Sequence, residues 1–451
     1  MKILGVSEGF HDAGATLIKD GEILSANHSE RISRIKHDKW LHYTQIEYAD
    51  KIAFFEKDWL KRTRQWYAGQ QRKKSRINYD ISFYHHESHA ASGFYTSKFD
   101  SCNILVIDSI GEWDTVSIWK AWVKNGKPRM AKIKSFKYPY SIGLFYSAVT
   151  QYIGLKPQED EYITMGMAAY GEPIHYEIMS DHLEYHNNHK GIRYLPSCFR
   201  NEDIAASAQS VVEDKILELV NEYCLHENLI ISGGVALNCV ANTKVAELGK
   251  NIWIMPNPGD CGSSLGAAAL AYGNKLNWID PYLGTEIKRD PKIKEIVNHL
   301  IDYSYCGVAN GRAEFGPRAL GNRSLLADPR RDVRDTVNEI KRRQKFRPFA
   351  PSILEEFADK YFEGPMNEYM QFVSKAKHDY SSVTHVDGTA RVQVVKQKCK
   401  SILRPILEEW YEQTGCPMLL NTSLNIKGQP MVDTWQHALD FDCKESCCTS
   451  N

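Results

Sequence analysis

The sequence predicts an α/β protein, and three observations carry that prediction. Short apolar strands recur along the chain, they alternate with helical and glycine-rich segments, and one strand–turn–hairpin layout occurs twice. Residues 2–7 read as the first strand, leading into Ser7-Glu8-Gly9-Phe10-His11-Asp12. Residues 15–18 and 22–26 flank Asp20-Gly21, a strong two-residue hairpin signal. The same layout returns at residues 104–107, which run into Asp108-Ser109-Ile110-Gly111-Glu112, then residues 116–123 and the turn Asn125-Gly126. Apolar residues at helical spacing predict an amphipathic helix over 203–223. A buried-type strand follows at 229–231 and another at 252–255. A second α/β region begins near Asp280-Pro281, with residues 282–285 reading as a linker.

Bulk properties narrow the function classes. A chain of 451 residues can bury a sizeable core in two or three domains. Formal net charge is zero, so no global field favours nucleic acid or membrane. No apolar run is long enough to span a bilayer, and the first residues lack the pattern of a signal peptide. The 11 cysteines are scattered without a CxxC pair, which predicts reduced thiols and a cytoplasmic protein.

The chemistry concentrates in a few places. His85 and His89, at i and i+4, share one helix face and can hold one metal ion, whereas His86 points elsewhere and reads as structural. Asp108 and Asp260 each follow an apolar strand and would complete a mixed nitrogen–oxygen donor set. Two histidines and two carboxylates suit Fe(II), Mn(II) or Zn(II). The strand, Gly233-Gly234 turn and helix start ending at Asn238 can present backbone N–H groups to a phosphate. Beyond residue 311 lie arginine-rich stretches interleaved with Gly, Pro and aromatics, where forked guanidinium groups suit phosphate or carbamate oxygens. Residues 57–76 mix eight cations with Trp59, Trp66 and Tyr67. That mixture either grips a nucleotide or forms a solvated helix face over packed aromatics, and the second reading is the expected one.

Six ordered stretches together resemble the O-carbamoyltransferase family of antibiotic and Nod-factor biosynthesis. They are residues 85–91, 232–238, 311–330, 341–352, 385–393 and 421–430. The resemblance implies a Kae1-like domain over 1–280, on the duplicated α/β fold of actin, Hsp70 and sugar kinases. A smaller YrdC-like α/β domain would cover 281–451. It implies that the second domain forms carbamoyl-adenylate from carbamoyl phosphate and ATP with Mg, using Arg318, Lys341, Arg347, Arg391, Asn421 and Thr422. The first would then carbamoylate a hydroxyl. There His85, His89, Asp108 and Asp260 match the metal ligands, with Fe(II) favoured, and Gly111, Gly233, Gly234 and Asn238 match the nucleotide site. His11 matches a position suited to deprotonating the acceptor, and Lys36 would orient the carbamoyl group. The acceptor would be a small-molecule alcohol or a hydroxymethylated nucleotide, and the protein a homodimer without membrane contact. Ile163-Thr164 stands where the family commonly places a lysine, and residues 443–451 read as a frayed or truncated tail. Competing readings are a sugar-kinase-fold kinase or ATPase, a tRNA threonylcarbamoylation component, and a nucleotide-gated binding protein without turnover.

Overall fold

The computed structural model describes residues 1–71, 74–193, 195–196, 198–377 and 380–445. Arg72 and Lys73 of the basic segment, and tail residues 446–451, lie outside the described residues. The chain divides into two compact units, one of Met1–Ser29 and His37–Ile279, the other of Glu30–Lys36 and Asp280–Asn451.

The first unit contains the same sheet twice. Strands β1 (Lys2–Ser7), β2 (Gly14–Lys19), β3 (Glu22–His28), β4 (Lys51–Phe54) and β5 (Ile81–Ser82) lie in the order β3-β2-β1-β4-β5. The pairs β1–β2 and β2–β3 are antiparallel, and β1–β4 and β4–β5 are parallel. Strands β6 (Ser101–Ile107), β7 (Asp114–Lys124), β8 (Lys127–Lys137), β9 (Asn228–Ser232) and β10 (Asn251–Trp253) repeat this as β8-β7-β6-β9-β10. Their antiparallel and parallel pairs fall in the same places. The unit is therefore a duplicated α/β domain, as expected for an actin/sugar-kinase-like fold. Both hairpins predicted from sequence form. Asp20 and Gly21 have φ of 51° and 91°, and Asn125 and Gly126 have 53° and 73°, so each turn has the two left-handed residues of type I′.

The duplication positions the site. The loops after β1 and β6 are equivalent; one carries His11, the other opens with Asp108. Two further equivalent elements follow β5 and β10, the helices His85–Thr96 and Ser263–Tyr272. They approach so closely that a Cβ on Gly266 would stand 1.8 Å from the Ser88 carbonyl oxygen. The missing side chain of Gly266 permits this approach, and the histidine helix is almost wholly buried.

The second unit has strands β11 (Tyr282–Ile287), β12 (Tyr305–Ala309), β13 (Gly311–Glu314), β14 (Arg323–Ala327), β15 (Ala350–Leu354), β16 (Phe362–Glu363), β17 (Ser374–Ala376), β18 (Thr389–Ala390), β19 (Gln393–Val395) and β20 (Met418–Ser423). Its main sheet runs β12-β14-β20-β15-β19, with only β15–β19 parallel. The helices Ile293–Tyr303 and Leu403–Thr414 cover an apolar core that includes Leu300, Leu326, Leu407 and Trp410.

Two local expectations are corrected. Residues 282–285 are no linker but the start of β11, paired with β13 and fastened by the Tyr282 hydroxyl, which donates to the Leu320 carbonyl at 3.1 Å. The basic segment is inverted. On the helix Asp58–Tyr67, Lys61 and Arg64 are buried at 3% and 4% exposure, while Trp59, Trp66 and Tyr67 are exposed at 59%, 67% and 68%. Buried carboxylates and carbonyls for the cations to meet account for this reversal, since charge is tolerated inside only when paired. Among the described residues no helix is long and apolar enough to cross a membrane, and the cysteines with described side chains are free thiols.

Candidate functional site

Four side chains from three separate stretches of sequence converge in the first unit. His85 and His89 lie one turn apart on the buried helix, Asp108 leaves the end of β6, and Asp260 opens the 3-10 turn Asp260–Gly262 that leads into the helix Ser263–Tyr272. His85 Nε2 is 3.0 Å from Asp108 Oδ2, 3.1 Å from His89 Nε2 and 3.3 Å from Asp260 Oδ1. His89 Nε2 is 3.3 Å from Asp260 Oδ1 and 3.9 Å from Asp108 Oδ2. All four residues are buried and their donor atoms lie within 4.8 Å of one another.

The donor set fits a divalent cation. Ligand atoms about 2.1 Å from one ion stand roughly 3–3.5 Å apart, as four of these five separations do. Asp260 Oδ2 is buried without a hydrogen-bond partner, and the two imidazole Nε2 atoms face each other at 3.1 Å. The remaining atoms are oriented. His89 Nδ1 meets Ser263 Oγ at 3.0 Å, His85 Nδ1 lies 3.7 Å from Glu56 Oε2, and Gly234 N–H donates to Asp108 Oδ1 at 3.4 Å. Burial opposes charging of His85, but Asp260, Asp108 and Glu56 outweigh it and raise its pKa well above the usual value. Burial and the Asp260 charge push Asp108 up, yet His85 and His89 bring it down to about 2. Negative charge thus persists at this site. His86 turns away to Ser117 Oγ at 2.8 Å, and burial holds its pKa well below the usual value.

His11 stands in the loop after β1 with its ring fixed. Its Nδ1 is 3.0 Å from Asp12 Oδ2, and the other oxygen of Asp12 lies 2.9 Å from His37 Nδ1. Asp12 adopts φ of 52°, a left-handed conformation that aspartate tolerates better than most residues. Burial lowers the His11 pKa, but hydrogen bonding and charge from Asp12, with Asp260 and Asp108 nearby, raise it to about 9. With Nδ1 committed to Asp12, Nε2 is the nitrogen left for chemistry. Lys36 belongs to the other unit, where its Nζ pairs with Glu30 at 2.8 Å.

The glycine turn is occupied largely by the protein itself. Gly233 has φ of 91° and lies so close to β6 that a Cβ would stand 2.1 Å from the Ile107 carbonyl oxygen. Its N–H donates to Pro258 O at 3.0 Å. Asn238 caps the helix Cys239–Ala246 by accepting from Ala241 N–H at 3.1 Å, and its amide donates to Gln209 Oε1 at 3.0 Å. Gly111 packs on the histidine helix, where a Cβ would meet the His86 ring at 2.9 Å.

In the second unit the selected residues gather around β20. Asn421 Nδ2 donates to Ala319 O at 3.2 Å and to Gln393 Oε1 at 2.8 Å, tying the loop that carries Arg318 to the segment that carries Arg391. Glu314 Oε1 fixes that loop further by accepting from the N–H groups of Leu320, Asn322 and Arg323. Thr422 follows Asn421 on β20, and Lys341 Nζ reaches the end of the same strand, donating to Ser423 O and to Asn425 O and Oδ1. Burial lowers the Lys341 pKa well below its usual value, and the charges of Arg343 and Arg347 lower it further. Arg391 Nε and Asn421 Oδ1 are buried without hydrogen-bond partners. Arg323, by contrast, is fully buried and spent on backbone carbonyls, including Thr285 O at 2.8 Å and Asn322 O at 2.7 Å.

Sequence reasoning passed over Asp12, His37, Glu56, Glu112, Ser263, Glu314 and Gln393. Asp12 and Glu112 sit beside His11 and Gly111, so neighbouring acids were the available signal. Nothing local marks Ser263 or Gln393, whose partners lie 174 and 28 positions away.

Comparison with known proteins gives a consistent picture. The family model for the carbamoyltransferase N-terminus matches residues 53–197 and 183–269, and that for the carbamoyltransferase C-terminus matches 297–447. An uncharacterized protein of Synechocystis sp. is 31% identical over 97% of this chain and 93% of its own length. Nodulation protein NolNO of Sinorhizobium fredii is 30% identical over 94% of this chain and 75% of its own. Among solved structures, component A of the Acidaminococcus fermentans (R)-2-hydroxyglutaryl-CoA dehydratase covers 60% of the chain and 98% of its own at 16% identity and a TM-score of 0.36.

Proposed function

The chain belongs to the carbamoyltransferase family, and on that premise we propose that it is an ATP-dependent O-carbamoyltransferase. The second unit makes carbamoyl-adenylate from carbamoyl phosphate, ATP and water: carbamoyl phosphate is hydrolysed to carbamate and phosphate, and the carbamate oxygen then displaces pyrophosphate from the α-phosphorus of ATP. The first unit transfers the carbamoyl group to a hydroxyl, and AMP leaves. The observation that carries this reading is the buried donor set of His85, His89, Asp108 and Asp260, with a third, ring-fixed histidine, His11, in the loop after β1 that is equivalent to the loop of Asp108.

The residues divide the work. Arg318, Arg347 and Arg391 bind the polyanionic substrates, and Asn421 holds the Arg318 loop for them. Lys341 braces the end of β20 and adds positive charge once an anion offsets its arginine neighbours. His85, His89, Asp108 and Asp260 hold a divalent cation, Fe(II) by family resemblance. That ion, when bound, supplies Lewis acidity toward carbamoyl or phosphoryl oxygens. His11 Nε2 takes the proton of the acceptor hydroxyl as the oxygen attacks, while Asp12 and His37 keep the ring in place. Activation is required because a carbamoyl group is a poor electrophile until it carries a good leaving group.

The test is mass spectrometry of hydroxyl compounds, both small alcohols and hydroxymethylated nucleotides, incubated with protein, carbamoyl phosphate, ATP and divalent metal. A gain of one CONH unit, dependent on ATP, is expected. If no compound gains it and ATP is not converted to AMP and pyrophosphate, the reading fails.

A further inference from the structure

The two imidazoles of the donor set are held unequally. His89 Nδ1 meets Ser263 Oγ at 3.0 Å, whereas His85 Nδ1 is buried without a hydrogen-bond partner. What His85 Nδ1 faces is a carboxylate, Glu56 Oε2, at 3.7 Å. That gap exceeds a hydrogen bond by about 0.5–1 Å. A neutral imidazole that offers Nε2 to a cation carries its proton on Nδ1, and a buried proton of this kind needs an acceptor.

Glu56 is registered to the His85 ring from both sides. Ser88 Oγ, on the histidine helix, donates to the Phe55 carbonyl at 2.8 Å. On the other side, Glu112 accepts from Lys57 N–H at 2.8 Å and from His85 N–H at 3.0 Å. Both clamps end on the helix that carries His85, so the backbone flanking Glu56 cannot move away from that ring without breaking one of them. A buried carboxylate also needs a counter-charge. Lys61 supplies it, with Nζ 2.5 Å from Glu56 Oε1, and both residues are only 3% exposed. Glu56 therefore spends Oε1 on Lys61 and keeps Oε2 toward His85. Fastening the helix Asp58–Tyr67 would require the first contact but not the second.

We propose that Glu56 is a positioning residue of the cation site: it accepts the Nδ1 proton of His85, so that Nε2 is the nitrogen presented to the ion, and Lys61 holds it in place. The inference rests on the reading of the four donors as a cation site and not on the carbamoyl chemistry. A carboxylate behind a ligating histidine fixes the tautomer and the ring orientation and makes the ring a stronger donor. The hydroxyl of Ser263 orients His89 without adding charge, so Glu56 is the group through which the surrounding protein strengthens one ligand over the other.

The experiment is titration of the full chain with Co(II) alone, read by its d–d absorption band and by competition with a chelator. Glu56→Leu is expected to weaken Co(II) binding by about 10- to 100-fold. It also leaves the Lys61 charge buried and unpaired, so its melting temperature is expected to fall. Glu56→Leu combined with Lys61→Met removes both charges and is expected to regain most of that melting temperature. Co(II) binding is expected to stay weak in the double variant, with the band displaced from its wild-type position. If affinity and band return together with the melting temperature, the pair is only a brace for the helix and the proposal is overturned. Wild-type affinity in both variants overturns it as well. Either result leaves the cation site standing, whereas a wild-type chain that binds no Co(II) ends the cation reading and this inference with it.

Discussion

The two charged clusters of this molecule differ in what they leave unsatisfied. In the first unit, imidazoles and carboxylates crowd together, and the unpartnered atoms are a carboxylate oxygen, Asp260 Oδ2, and a ring nitrogen, His85 Nδ1. In the second, the selected residues include arginines and a lysine, and an unpartnered cationic donor, Arg391 Nε, stands beside the unpartnered acceptors Asn421 Oδ1 and Glu314 Oε2. An unsatisfied buried polar atom costs about 1–3 kcal/mol, so a fold retains one where something else completes it. One cluster is shaped for a cation and the other for an anion. Residue type alone does not reveal this, because Arg323 and Lys341 are basic residues like Arg391 yet are committed to the protein's own oxygens. The useful distinction is between spent and unspent polar atoms.

The largest effect that would break this comparison is loss of the cation. His89→Ala and Asp260→Asn each remove one of four donors, and stoichiometric metal is expected to fall to a trace by elemental analysis. Full metal retention in both variants would end the assignment. His86→Ala is the control. It forfeits the Ser117 hydrogen bond and a packed ring, lowering stability by about 1–3 kcal/mol, but keeps its metal.

Next in size is the proton-transfer step. His11→Ala is expected to slow transfer by about 100- to 10,000-fold while adenylate formation continues. The rising limb of the pH–rate profile should lie above the ordinary imidazole range, because Asp12 raises His11. A limb at the unperturbed value of ~6.5 would mean that another group is being titrated.

The anion cluster offers a smaller but sharper test. Arg391→Ala removes a guanidinium with an unspent nitrogen, so pyrophosphate release is expected to drop by about 100-fold with little change in melting temperature. Lys341→Ala strips the donor from Ser423 and Asn425, so both melting temperature and release are expected to fall. Equal thermal losses in the two variants would erase the distinction between spent and unspent cations.

Much of this was legible in the sequence, for identifiable reasons. Both hairpins follow from Asp-Gly and Asn-Gly chemistry, a local cause with a local effect. The histidine pair follows from helical periodicity, and Asp108 from its place after an apolar strand. The burial of Lys61 and Arg64 was not legible, because it depends on Glu56 and on the Glu112 backbone, set by tertiary packing. The strand β11 was misread because its partners on β13 lie 24 to 32 residues away and Gly284 looks like a break. The capping role of Asn238 was not distinguishable in the sequence from a phosphate contact, because both call for the same residue type at the same place.

The smallest expected effect tests the link between His11 and Asp12. Asp12→Asn keeps a hydrogen-bonding group but removes a negative charge, and that charge helps to hold His11 at about 9. The variant's limb should therefore move to lower pH by about one unit, worth roughly 1.4 kcal/mol. At neutral pH more of its His11 is in the basic form, so it loses less rate there than at pH 9, or even gains. Stability gives an independent reading in the metal-free protein. A histidine whose folded pKa is raised adds stability below its unfolded value near 6.5, and that stability is lost as pH rises through about 9. Asp12→Asn should thus lower the melting temperature more at pH 6 than at pH 10. If the kinetic limb stays in place while the melting difference appears, Asp12 sets the charge of His11 but His11 is not the group that accepts the proton.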